Sequence, residues 1–417
     1  MVTIPSRTST AHRTGFWYAL TAAPHRMFFL AGAAQGVIIM TWWALTLAGR
    51  YALLPAVAMR VDPVWAHAFL MIYGLFPFFI FGFLATVYPR WMDARVIARW
   101  SYVLASLSMA CGMALFYAGL YADNKLIILA TLLFLAGWLV MFGALLWVCL
   151  STGRASMHEL AFNLALAGGA GGIACFAVAL SGAGAEWFTA ARELGLWLFL
   201  VPIVFGVSHR MIPFFSSSVL AHYRVVRPAW SLPVVLACTA GHVALVLLGL
   251  RRWLFVCDLP LTAAALYHTF AWGFLRSFGD RLLAMLHVAF LWLPLAMALY
   301  SLQSLVLFGS GRLVFGRAPL HALGIGFITG MVVAMASRVS LGHSGRSLTA
   351  NRLTWNTLLG ISIAALLRIG AALTAPLFVH AYLFSLAASV AWLGAVIPWV
   401  WHYAPMYWRP RADGHPG

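Results

Sequence analysis

Residues 321–346 read HALGIGFITGMVVAMASRVSLGHSGR. The stretch opens on a histidine, runs apolar for the length of a bilayer, and closes on Arg338, His343 and Arg346. His321 precedes Arg338 by 17 residues, roughly 25 Å at 1.5 Å per helical residue. The two polar ends therefore face opposite sides of a membrane. Imidazole is the commonest metal and haem ligand in proteins, so the segment reads as a membrane span with chemistry at both ends.

The rest of the chain agrees. Of its 417 residues 64% are apolar and 8% charged, against about 45–50% and 25% in soluble domains. Mean hydropathy is +0.93. Runs long enough to span, about 17–25 residues each, fall at 27–48, 64–88, 100–121, 126–150, 158–181, 192–212, 230–250, 253–275, 281–308, 319–337, 353–374 and 377–402. The expectation is an all-α, polytopic membrane bundle of about twelve transmembrane helices. It forms a single integral membrane domain over 1–417, with a short N-terminal segment (1–24) and a polar tail (409–417). Residues 1–24 lack the apolar core and cleavage site of a signal peptide, so the first helix is expected to act as its own insertion signal.

On a twelve-helix topology the termini and the loops on their side carry 17 of the 26 basic residues, and the opposite loops carry eight. Basic residues collect on the cytoplasmic side, which puts both termini in the cytoplasm. The net charge of +17 follows from arginines in short loops beside apolar spans, where anionic lipid headgroups attract them. The lipid bilayer is the expected partner, and nucleic acid is excluded.

Several chemistries are absent. The five cysteines are scattered with no C-x-x-C spacing, which removes iron–sulfur and structural-zinc patterns and leaves them as packing residues. Without C-x-x-C-H, any haem would be held non-covalently. Walker and Rossmann glycine patterns are missing. The glycines instead recur at helix-packing spacing, as in Gly32 with Gly36, Gly326 with Gly330, and the Gly168–Gly172 group.

Ionisable residues inside spans are expensive, and by default they mark function. The nine carboxylates all fall in expected loops, at helix ends or in the tail, leaving no acid at mid-membrane for a proton-coupled transporter. The histidines form layers. His67, His321 and His380 lie near the outer face; His25, His209, His343 and His402 lie near the inner face, with His287 and His268 deeper and His242 near mid-helix. Taken singly, each reads as an interfacial imidazole bonded to a carbonyl. As a set they offer facing axial ligands, and Arg26, Arg210, Arg338 and Arg346 beside His25, His209 and His343 offer cations for haem propionates. Arg368, inside the eleventh span, is expected to point into the bundle near the depth of His67 and His321, against the alternative of snorkelling to headgroups. Met211, Met331 and Met335 are soft enough for Cu(I), but in so apolar a chain they read first as packing.

The fragment His25-Arg26-Met27-Phe28-Phe29, the run His209-Arg210-Met211-Ile212-Pro213-Phe214-Phe215, the LHVAFLWLPLA stretch around His287, and Arg338-Val339-Ser340-Leu341-Gly342-His343-Ser344-Gly345-Arg346 together resemble the NnrS family over nearly the whole chain. The resemblance implies a twelve-helix protein of the bacterial inner membrane that contains haem b and copper. It further implies a link to nitric oxide metabolism, nitrosative stress or denitrification. On this basis His67, His321, His209 and His343 are the expected metal ligands, with His25, Arg26, Arg210, Arg338, Arg346 and Arg368 completing the cofactor-binding set. One departure stands out. The family often opens its second helix on a histidine-x-histidine-glutamate motif, and this chain reads His67-Ala68-Phe69-Leu70. Phe69 and Leu70 have no lone pair, which weakens copper more than haem.

Three functional classes remain open: a haem protein that binds or processes nitric oxide or its metal adducts, a twelve-helix secondary transporter, and a non-catalytic sensor or assembly factor. No repeat relates the two halves, as many transporter folds require. No adjacent histidine pair supports an oxygen-reducing haem–copper site. Turnover and electron donor are not encoded in any motif.

Overall fold

The computed structural model describes residues 15–153, 155–375 and 378–414. Residues 1–14 of the expected cytoplasmic segment and 415–417 of the tail lie outside that range. Eleven helices are long and apolar enough to cross a membrane: α1 (Pro24–Arg50), α2 (Pro63–Trp91), α3 (Arg99–Tyr121), α4 (Asn124–Thr152), α5 (Met157–Leu180), α6 (Glu186–Val219), α8 (Arg251–Ala271), α9 (Arg281–Ser310), α10 (Ala318–His343), α11 (Arg352–Thr374) and α12 (Tyr382–Trp408). The twelfth, α7 (Ser231–Leu247), is apolar but only 17 residues long, roughly 25 Å. Each expected run falls on one of these helices, and α7 is the short one.

Local chemistry sets several helix starts. Asp62 caps α2 by accepting from the Val64 amide, with Pro63 at the first helical position. Ser156 and Glu159 make a reciprocal capping box on α5. Asp280 and Asn351 cap α9 and α11 through the Leu283 and Thr354 amides. Gly153 and Gly311 end α4 and α9 in the left-handed region, at φ of 61° and 71°.

Helices α2, α6, α9 and α10 are buried along most of their length and form the centre, while the others turn Leu and Trp side chains outward. Small residues allow the closest approaches. Tyr73 on α2 sits where a Cβ at Gly172 of α5 or Gly195 of α6 would fall, and its hydroxyl donates to the Ala191 carbonyl at 2.7 Å. Gly326 likewise admits the Trp292 ring between α10 and α9. Phe16 packs on Trp408 at 6.2 Å, so the two described ends of the chain share one end of the bundle. We call that end terminal and the opposite end distal.

The hydrophobic pattern does not mark three stretches in the central helices that widen into π-helix: Leu70–Leu75 in α2, Leu194–Leu200 in α6 and Ala322–Thr329 in α10. Such segments are rare and concentrate at functional sites. The acids also depart from expectation, since Glu159, Glu193 and Asp258 are all buried. Asp258 lies about two turns inside α8, where a start taken from hydropathy alone hides its depth.

Candidate cofactor site

At the distal end His67 from α2, His321 from α10 and Arg368 from α11 line one cavity of about 1070 Å³, counting its open mouth. The walls are apolar and aromatic, with Trp43, Trp65 and Trp392 prominent, and Arg192 and Arg317 add cations at one side. All three π-helical stretches contribute lining residues: Met71 and Ile72, Leu196 and Leu200, and Gly324, Ile325 and Ile328. A π-turn inserts one residue and rotates the rest of the helix by about a quarter turn, which re-aims side chains while keeping backbone bonds satisfied. The hydroxyl of Thr329 donates to the carbonyl of Gly324, five residues back, at 2.9 Å.

Each imidazole has a defined setting. The His321 Nδ1 lies 2.8 Å from the Arg317 carbonyl oxygen. A carbonyl only accepts, so Nδ1 carries the proton and Nε2 keeps its lone pair, the usual preparation of a ligating histidine. His67 stacks face to face on Trp43, with centroids 4.0 Å apart at 13°. Its Nδ1 is buried without a hydrogen-bond partner, an expensive condition for a polar atom. Arg317, in the loop before α10, has its guanidinium pushed below the ordinary arginine range by partial burial and then by Arg192 and Arg50. The rim is a crowded cationic one.

The expected inner cluster divides. His25 faces His343 at 4.6 Å between ring centroids, with the Thr86 hydroxyl 3.4 Å from His25 Nδ1. Buried Arg26 donates to the carbonyls of Ala19 at 2.9 Å and Arg409 at 3.3 Å. His209 belongs to another group: its Nδ1 is 3.0 Å from His158 Nε2, and its ring meets His268 edge-on at 5.4 Å. Arg210 pairs with Glu159 and lies 4.2 Å above Trp91, while Arg338 lies 3.9 Å above Phe215. Arg346 keeps one buried guanidinium nitrogen unpartnered. Matching depth alone led to the expectation of a single site. Helix rotation, which depth does not encode, turns these side chains toward different neighbours.

The residues missed in the sequence are His158, which pairs with His209, and Trp43, which stacks on His67. His158 sits in the first turn of a helix and reads as a cap, and a tryptophan in a span gives no signal of what it faces. The Phe69 departure also acquires a place. Phe69 stacks on Phe176 at 4.2 Å and Phe116 at 4.9 Å, away from the cavity that Ala68 lines. Among the described residues no three His, Cys, Asp or Glu side chains converge as a ready metal cage.

The family model for NnrS protein matches residues 19–411, from the short helical segment before α1 to the chain's polar tail. The chain belongs to the NnrS family. Comparison with curated proteins gives no match. Membership fits a nitric-oxide-related membrane protein, and in this NnrS chain the distal cavity brings two spanning-helix histidines and a spanning-helix arginine to one wall-lined space, while the His25–His343 pair at the terminal end has Arg26 and Arg90 beside it.

Proposed function

We propose that the chain is a haem b protein of the bacterial inner membrane whose distal cavity binds or processes nitric oxide or a nitrosylated small molecule. The observation that carries this is the convergence of His67, His321, Arg368 and three π-helical stretches on one cavity. The residues fit the group. His321 has its Nε2 lone pair free, His67 has an unpartnered buried nitrogen, and Arg368 and Arg317 supply forked donors for propionates. When bound, a haem held by His67 and His321 would supply an iron able to take nitric oxide. The chain's own part is to hold the imidazoles, neutralise carboxylates and exclude water with its tryptophans. Copper has thinner support, because a copper site would need donors beyond these two histidines.

The arginine asymmetry supports cytoplasmic termini, an orientation that would turn the distal cavity to the periplasmic side. Purified protein should contain non-covalent haem whose Soret band shifts on adding nitric oxide. A haem-free protein that still protects cells from nitric oxide would favour the transporter or sensor reading instead.

A further inference from the structure

A second distal cavity, about 910 Å³ with its open mouth, shares Arg192, Leu196, Arg317 and Leu320 with the histidine cavity. On its wall the His242 Nδ1 of α7 lies 2.8 Å from the Asp258 Oδ1 of α8. Asp258 is 0% exposed, yet its Oδ2 has no partner, and Gln303 of α9 presents a second unpartnered acceptor. Trp197 of α6 covers the imidazole face at 3.9 Å and 26°. A histidine–carboxylate pair that served only to join α7 to α8 would need neither the cavity nor the spare acceptors.

We propose that His242 and Asp258 form a proton-exchange pair that opens to the distal face and serves the neighbouring histidine cavity. The carboxylate accepts from Nδ1–H, which leaves the lone pair on Nε2. A proton from cavity water bonds to Nε2 while Nδ1–H stays on Asp258, giving an imidazolium–carboxylate pair; release reverses the step, and no electron moves. Asp258, Glu193 and the Trp197 face stabilise that cation, whereas Arg251 and Arg317 oppose it and Arg192 is already paired with Glu193. Tyr300 meets the imidazole edge-on at 6.0 Å, and Cys238 and Cys257 stand near Asp258. Service to the neighbouring cavity rests on the haem-and-nitric-oxide function proposed for it; the pair itself does not.

The test is pH-jump infrared difference spectroscopy on the full-length protein in liposomes, with isotope-labelled histidine and no added cofactor. Between about pH 5 and 8, wild type should give an imidazolium signal that follows a jump on the distal side. His242→Gln should remove it, and so should Asp258→Asn, whose amide can donate to Nδ1 and impose the wrong tautomer. Gln303→Leu leaves the pair intact and should slow the response several-fold. A histidine signal unchanged in His242→Gln, or a response only to the terminal side, would overturn the proposal; so would an unchanged rate in Gln303→Leu. A His242 signal in protein that neither holds haem nor binds nitric oxide would keep the pair and discard the cofactor reading.

Discussion

Arg368 shows how much one side chain in a span can be asked to explain. An arginine at mid-helix costs about 2.5–3.5 kcal/mol in insertion measurements, and here it faces the cavity of His67 and His321. Arg368→Leu should therefore fold at least as well as wild type yet lose cofactor occupancy. Arg368→Lys should lose part of it, because an ammonium keeps the charge without the planar fork; haem content per protein is the readout. At the terminal end Arg210 and Glu159 make the opposite kind of pair, structural and capping α5. Glu159→Gln should cost about 1–3 kcal/mol, toward the lower end because Arg210 is partly exposed. Thermal unfolding in detergent would register it, with haem content unchanged.

At the scale of elements, the apolar runs were legible because membrane-length runs have few alternative readings; among the described residues eleven form helices long enough to cross a membrane, and the twelfth, α7, is a shorter apolar helix. The long 321–346 segment pointed to its two polar ends but not to the π-stretch between them, because one inserted residue changes no composition. That stretch supports a direct test. Deleting Ile325 should restore α-helical register after His321 and rotate Gly330–His343 relative to α9. The variant should still insert, and haem occupancy should fall by at least half. Full occupancy in the deletion would mean that the π-turn merely accommodates packing. Depth put His67, His321, Arg368 and His380 at one end of the bundle; the first three line one cavity and His380 does not. The inner group was not legible from depth, because His209 and His343 share a depth while facing His158 and His25.

For the whole molecule, the central ring of α2, α6, α9 and α10 keeps its polar features at two ends, with the histidine cavity and its polar neighbour distal and the remaining histidine pairs terminal. Arginine asymmetry predicts both termini in the cytoplasm. A membrane-impermeant thiol reagent applied to intact cells should label a cysteine introduced at Arg312, between α9 and α10, and should not label one at Ala412. The reverse pattern would invert the topology and place the distal cavity inside. The most direct test of the central claim is the reduced-minus-oxidised absorption spectrum, with haem quantitation, of purified wild type, His67→Ala, His321→Ala and the double variant, before and after nitric oxide. The distal-site account predicts a b-type spectrum in wild type that shifts with nitric oxide, reduced occupancy in each single variant and near-complete loss in the double. Wild-type haem content and an unchanged nitric oxide shift in the folded double variant would contradict it.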